Sequence, residues 1–272
     1  MEILHAILLG VIQGITEFLP ISSSGHLALA QALFGYQSTG LVFEVFLHFG
    51  TVVSVLVVFR TEIIQIISSL FHGLQQPREW KHLWQTDPQF KMNGLIVIGV
   101  IPAGVIGFLA EDYVGRIFQS PVLVGAMLIA TALILWSSRW PKKEVSGELT
   151  TGTSILIGLA QALAIIPGIS RSGTTITAGL WSHIEPEQAA KFSFYLAIPV
   201  ILGASALELT RVFHAHFTAT ELWAIAAGTL TAFLAGWVAI IFLMDLLRKG
   251  KFSWFAIYCL VIGALTIALS LL

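Results

Sequence analysis

Long apolar stretches separated by short polar breaks run the length of the chain. A helix that crosses a membrane needs about 20 predominantly apolar residues. Six stretches meet that need: about 41–59 (extendable to 70), 93–110, 120–138, 191–213, 221–245 and 252–272. Two further apolar regions are interrupted. Residues 2–35 break at EFLPISSSGH, and residues 151–182 break at IIPGISRSGTT. Each has a short apolar arm, a polar elbow rich in Pro, Gly and Ser, and a second short arm. Arms this short fit re-entrant segments better than full spans. The pattern predicts an all-α polytopic membrane protein. Membrane β-strands would need short alternating segments, which are absent from the pattern.

The two broken regions are related to each other. At an offset of 148 residues, Gln13 matches Gln161, Ile21 matches Ile169, Ser22 matches Ser170, Ser24 matches Ser172 and Gly25 matches Gly173. FEVFLHFGT from Phe43 and FSFYLAIPV from Phe192 fall at nearly the same offset. Each broken region is followed by three long apolar segments. The chain therefore reads as one integral membrane domain, 1–272, made of repeat 1 (about 1–139), a linker (140–150) and repeat 2 (about 151–272).

Composition agrees. The chain is 56% hydrophobic and 11% charged, with a mean hydropathy of +0.87. Soluble domains carry about 25% charged residues, so a solubilising surface cannot be built here. Disorder and coiled coil are excluded on the same ground. The 14 Lys and Arg nearly balance the 15 Asp and Glu, which gives no sign of nucleic-acid binding. The single cysteine, Cys259, lies in an apolar run and reads as a packing residue. The N-terminus lacks a basic region and a small-residue cleavage site, so no cleavable signal peptide is expected.

The placement of the basic residues sets an orientation. Loop 72–91 carries Arg78, Lys81 and Lys91; the linker region carries Arg139, Lys142 and Lys143; loop 246–251 carries Arg248, Lys249 and Lys251. The intervening loops hold only Arg116 and, at an edge, Arg211. The positive-inside rule puts the three basic loops in the cytoplasm. The first broken region then enters from outside and the second from the cytoplasm, so the repeats are of inverted topology. Such repeats place a site near mid-membrane, between interrupted helices.

Polar groups at that depth are functional candidates. The first elbow supplies Gln13, Glu17, Ser22, Ser23, Ser24 and His26. Gln13 and Glu17 share a helix face, and the serines form a helix-capping turn suited to an anion. The second elbow supplies Ser170, Arg171, Ser172, Gly173, Thr174 and Thr175. Arg171 offers a donor fork for phosphate or carboxylate, and the hydroxyls and glycine suit an oxyanion nest. If the elbows meet, the set fits phosphoryl transfer: Arg171 holds phosphate, a serine or His26 attacks, and Glu17 binds a cation or moves a proton. Glu17 paired with Arg171 as a purely structural bridge is the plainer alternative. Glu44 and His48, four residues apart near the outer end of a run, read either as an interhelical pair or as support for the site. Glu208 and Asp245 lie near helix ends and should reach the interface. His214 and His216 are two apart, which is not a helical ligand spacing. Trp80, Trp84, Trp136, Trp140, Trp181, Trp223 and Trp254 sit near expected boundaries, as an aromatic belt does. GVIPAGVIG at 99–107 has the small-residue spacing of close helix packing.

QGITEFLPISSSGHL (13–27) and PGISRSGTTI (167–176) closely resemble the two signature regions of the undecaprenyl-diphosphate phosphatase, or bacitracin-resistance, family. FEVFLHFGT and KFSFYLAIPV resemble its flanking segments, and the likeness covers essentially the whole chain. The resemblance implies an enzyme of the bacterial cytoplasmic membrane. It would hydrolyse undecaprenyl diphosphate to undecaprenyl phosphate and phosphate, recycling the lipid carrier for peptidoglycan synthesis and conferring bacitracin resistance. It implies a divalent cation, Mg2+ or Ca2+, and a site open to the periplasm or outside. Carried onto this chain, the acidic motif falls on Gln13 and Glu17, the serine motif on Ser22 and Ser23, the histidine on His26 and the phosphate-binding arginine on Arg171. Ser170, Ser172 and Thr175 stand beside Arg171. Many members have glutamate at the place of Gln13, whose amide can offer an oxygen to a cation but no charge. On this reading Ser23 is the favoured nucleophile, His26 takes its proton, and Glu17 orients His26 or holds the metal. A lipid flippase with the same inverted-repeat site is the alternative. Small-residue faces permit a homodimer.

Overall fold

The computed structural model describes residues 3–34, 41–118, 120–139, 147–213 and 217–271. Within the helices, it leaves out the side chains of 31–34, 41, 110–118 and 207–213. Linker residues 140–146, with Trp140, Lys142 and Lys143, and the pair His214 and His216 therefore lie outside the described residues. So do the side chains of Arg116, Glu208 and Arg211.

Twelve α-helices are found among the described residues, with no strand and one isolated bridge, Gly147 to Ile184. The chain is a polytopic α-helical membrane protein. The first broken region is α1 (Ile3–Phe18) and α2 (Ser23–Phe34). Pro20 explains the break, since the residue before a proline is pushed out of the helical region. Ser22 turns the chain at φ 69°. The second broken region is α8 (Thr151–Leu163) and α9 (Arg171–Trp181). Between them Gly168 takes φ 94°, and a Cβ there would stand 2.6 Å from the Val124 carbonyl oxygen. Only glycine fits both constraints.

Between the broken regions lie α3 (Leu41–Val58), α4 (Arg60–Gln75), α5 (Trp80–Thr86), α6 (Pro88–Phe118) and α7 (Pro121–Ser137). After them come α10 (Pro186–Phe213), α11 (Ala219–Arg248) and α12 (Phe255–Ser270). Among the described residues, four stretches are long and apolar enough to cross a membrane: Pro88–Leu109, Pro186–Ala206, Ala219–Arg248 and Phe252–Ser270. The continuation of the 41–59 run to residue 70 is corrected: the chain bends by 91° between α3 and α4. Arg60, Thr61 and Glu62 open α4, so the polar triplet marks the bend rather than the middle of a span. The 120–138 stretch forms the 17-residue α7, a short apolar helix.

Small residues bring the elbows into place. A Cβ on Gly10 would lie 2.4 Å from the Gly228 carbonyl oxygen, and one on Gly14 would lie 2.5 Å from that of Ala232. α1 therefore lies backbone-to-backbone on α11. Likewise α8 lies on α6 through Gly158 and Gly99, and α7 on α12 through Gly125 and Gly263. The expected packing role of 99–107 thus belongs to Gly99, since nothing stands within 4 Å of a Cβ on Gly104. Beneath the elbows a core joins Phe18, Phe59, Leu135, Ile176, Phe194, Ile240 and Leu243. Phe18 meets Phe194 edge-on at 5.4 Å.

Candidate active site

The two elbows meet. A Cβ on Gly25 would be 3.4 Å from Gly168 Cα, and Ser172 Oγ donates to the Leu19 carbonyl at 3.2 Å. Each elbow is capped in the same way. Ser22 Oγ accepts from the Gly25 amide at 3.3 Å and lies 3.3 Å from Ser24 Oγ. Ser170 Oγ accepts from the Gly173 amide at 3.1 Å and lies 3.3 Å from Ser172 Oγ. Thr131 of α7 fixes the second elbow, donating to the Gly168 carbonyl at 2.8 Å and accepting from the Ser170 amide at 3.0 Å.

Glu17, buried at the end of α1, is the centre of the arrangement. Its Oε1 accepts from Arg171 Nη2 at 2.6 Å. Its Oε2 accepts from Ser23 Oγ at 2.7 Å and from Gln13 Nε2 at 3.0 Å. The Glu17–Arg171 pair is largely out of water, with side chains 6% and 15% exposed. Removing one partner of such a pair costs about 3–5 kcal/mol, because the other charge is left unpaired. Arg171 Nη1 reaches the Ser193 carbonyl at 3.3 Å, and Ser193 Oγ lies 2.6 Å from Thr175 Oγ1. Thr174 Oγ1 donates to the Ser170 carbonyl at 2.9 Å, so it stiffens α9 rather than facing a ligand.

The histidines are placed differently from the expectation that His26 takes the proton of Ser23 and is oriented by Glu17. His26 Nδ1 is 2.9 Å from the Ser22 carbonyl, and Nε2 is 2.8 Å from the Tyr258 hydroxyl. The ring also stacks on Tyr258, 5.6 Å between centroids. Both nitrogens are thus engaged away from Glu17. The physical reason is position: at the first turn of α2 the ring folds back on its own helix start and is drawn onto α12. The imidazole nearest Glu17 is His48 of α3, with Nε2 3.8 Å from Oε2. His48 Nδ1 is 2.8 Å from the Glu44 carbonyl. A carbonyl only accepts, so Nδ1 carries a hydrogen and Nε2 is the nitrogen turned to the site. Glu44 and His48 are thus joined, through the backbone of Glu44.

A divalent cation of the kind the resemblance implies takes oxygen ligands. Gln13 Oε1 is fully buried and has no hydrogen-bond partner, while its Nε2 holds Glu17. Gln13 Oε1 and the Glu17 carboxylate therefore fit as two adjacent oxygen donors. No group of three His, Cys, Asp or Glu side chains suits a metal among the described residues. Phosphate oxygens and water would complete the shell, a habit of Mg2+.

Three contributors escaped the sequence reading: Ser193, Tyr258 and Thr131. Ser193 had a signal, since at the 149-residue offset it matches Glu44. Tyr258 and Thr131 lie in apolar runs where each reads as an ordinary helix residue.

A family model described as bacitracin resistance protein BacA matches residues 6–265. An undecaprenyl-diphosphatase of Desulforapulum autotrophicum is 42% identical over 98% of each chain. Undecaprenyl-diphosphatase 1 of Shouchella clausii is 40% identical, over 97% of this chain and 95% of its own. An undecaprenyl-diphosphatase of Methanosphaera stadtmanae is 37% identical over 99% of each.

Proposed function

The chain belongs to the BacA family of bacitracin resistance proteins, and from that membership we propose how its two elbows act as an undecaprenyl-diphosphatase. The enzyme hydrolyses undecaprenyl diphosphate to undecaprenyl phosphate and inorganic phosphate, recycling the lipid carrier and so conferring bacitracin resistance. The observation that carries the residue roles is the short contact of Ser23 Oγ with Glu17 Oε2, 2.7 Å, while Arg171 holds Oε1 at 2.6 Å.

The prenyl chain stays in lipid and the diphosphate enters between the elbows. Arg171 shifts Nη2 from Glu17 to the terminal phosphate, with Nη1 kept on the Ser193 carbonyl. Amides at the start of α2 and α9 and the hydroxyl of Ser24 add donors around the developing charge. Ser23 Oγ gives its proton to Glu17 Oε2 and attacks the terminal phosphorus. The bond to the bridging oxygen breaks, and its electron pair leaves with undecaprenyl phosphate. Glu17 passes that proton to the leaving phosphate oxygen and, again a carboxylate, takes one from water, whose attack on phosphorus breaks the Ser23 Oγ–P bond; the proton returns to Ser23 Oγ as phosphate leaves. Gln13 Oε1 and Glu17 would hold a Mg2+ or Ca2+ ion, which supplies charge neutralisation at the phosphate oxygens. His48 lies on the side of Glu17 facing α3, where it supports that carboxylate. His26, held by Tyr258, shapes the mouth of the site rather than touching Ser23. The site faces the outer side of the cytoplasmic membrane in this reading, which rests on the basic loops being cytoplasmic.

Phosphate release by purified protein in detergent tests this reading. Wild type is compared with Glu17→Ala, Ser23→Ala, His26→Ala and Arg171→Ala, each with Mg2+, Ca2+ or a chelator. Folded variants at 17, 23 and 171 should lose at least about 100-fold in turnover. Full activity of Ser23→Ala would remove the serine from the chemistry. A wild type that releases no phosphate but moves lipid between leaflets would make it a flippase.

A further inference from the structure

A cavity of mixed polar and apolar lining lies at the end of the bundle that carries the basic loops, away from the elbows. Its volume is about 220 Å³, and Arg139, His183, Gly250 and Ser253 line it. A water takes up about 30 Å³ of liquid, so the space holds a phosphate group with room to spare. We propose that this cavity binds the phosphate of an anionic phospholipid headgroup.

Arg139 is prepared for such a ligand. Its Nε donates to Ser253 Oγ at 2.7 Å, and its guanidinium lies 4.1 Å over the Trp136 ring. These contacts fix the plane of the fork. Neither terminal nitrogen has a partner among the described residues. Of the carboxylates nearby in the chain, Glu187 is paired with Arg248 at 2.6 and 2.9 Å and Asp245 with Lys249 at 2.6 Å, while Glu185 caps α10 by accepting from the Glu187 and Gln188 amides at 3.3 and 3.0 Å. A fixed guanidinium with two free N–H edges is the geometry that takes two oxygens of a phosphate.

His183 is a separate observation. It follows α9 at φ 59°, where the Ile184 amide donates to the Gly179 carbonyl at 3.1 Å. That is the position at which a helix usually ends on glycine. A histidine there is strained, and the turn is also clamped by Gly147, whose amide donates to the His183 carbonyl at 3.0 Å. The imidazole brings a buried Nδ1 that has no hydrogen-bond partner. A strained turn that carries histidine where glycine is usual, with that residue in the cavity wall, is what a ligand-binding role would leave behind. Trp136, Trp181 and Trp254, each within three residues of a lining residue in the chain, are half exposed, with Lys251 4.8 Å over Trp254. Such a belt puts the cavity at headgroup depth.

The test is native mass spectrometry of the purified protein titrated with dioleoyl phosphatidylglycerol, dioleoyl phosphatidylcholine or inorganic phosphate. The variants are Arg139→Gln, His183→Gly and, as an exposed basic control, Lys81→Gln. His183→Gly removes only the imidazole, because glycine adopts the same backbone freely. Wild type should hold one phosphatidylglycerol more tightly than phosphatidylcholine. Arg139→Gln and His183→Gly should each weaken that binding by about tenfold, and Lys81→Gln should not. Inorganic phosphate that competes with the lipid supports recognition of the phosphate alone. Phosphate bound without any lipid retention would assign the cavity to free phosphate instead of a headgroup. Equal affinity in all four proteins, or a Lys81→Gln loss as large as that of Arg139→Gln, would overturn the site.

Discussion

Arg171 does two things at once that a lysine cannot. It spans from Glu17 Oε1 at 2.6 Å to the Ser193 carbonyl at 3.3 Å, and only a rigid fork reaches both while still presenting an N–H to phosphate. Arg171→Lys should therefore keep the buried charge balanced and the protein folded, yet lower kcat by about 100-fold. Single-turnover phosphate release together with a melting curve separates the two effects. Gln13 leads to the opposite kind of change. Its unpaired Oε1 is an acceptor without charge, so Gln13→Glu should lower the Mg2+ concentration for half-maximal activity, by about tenfold, because ligand charge tunes cation affinity. An unchanged Mg2+ titration would move the cation away from Gln13. Glu17, Ser23 and Arg171 were legible in sequence because a charge or a serine cluster inside an apolar run has few bland explanations. The environment of His26 was not legible. Its partner Tyr258 lies 232 residues on, in a run where a tyrosine looks like any lipid-facing side chain.

At the scale of the element, the elbows are only as well placed as the helices that carry them. α1 lies on α11 through glycines that let the backbones touch, and Thr231 Oγ1 of α11 donates to the Ile7 carbonyl at 3.3 Å. Gly14→Val would push two methyls at the Ala232 carbonyl, 2.5 Å from where a Cβ begins. Overpacking of this kind costs about 1–3 kcal/mol, and Glu17, one turn further along α1, would move with the displaced helix. The expected result is a lower melting temperature with a larger loss of turnover than of folded protein. The start of α6 gives a pH-dependent counterpart. Asp87 accepts from the Gln89 and Phe90 amides at 2.8 and 3.1 Å and from Ser69 Oγ at 2.6 Å, tying α6 to α4. Burial alone would raise its pKa, but the Ser69 hydroxyl and the two amides outweigh that and hold the carboxyl below its ordinary value of 3.8. A depressed pKa means stability that is present above 3.8 and lost as pH falls through the lower, native value. Asp87→Ala should thus cost about 1 kcal/mol at neutral pH, as a lost cap does. Melting curves of the two proteins should converge once the carboxyl is protonated. Helix existence was readable from apolar length, whereas the 91° bend after Val58 was not. A polar triplet at 60–62 is compatible with a span that snorkels its charges, and only packing decides.

For the whole molecule, the charges divide the bundle into two ends, and the inverted-repeat reading depends on which end faces the cytoplasm. Lys81 lies in α5 at the basic end, and Ala219 opens the 30-residue α11 at the other. At 1.5 Å per residue α11 is about 45 Å long, enough to pass from one interface to the other. The sole cysteine, Cys259, is buried against the Pro20 carbonyl, so Cys259→Ala gives a silent background for placing new thiols. In intact cells, an Ala219→Cys protein should react with a membrane-impermeant maleimide and a Lys81→Cys protein should not; both should react once the membrane is opened. That outcome puts the start of α11 outside and the basic loops inside. It would also make α1–α2 and α8–α9 enter from opposite faces, since the paired elbows meet while their arms end at opposite ends of the bundle. The reverse labelling would turn the elbow site toward the cytoplasm and overturn the outward-facing reading.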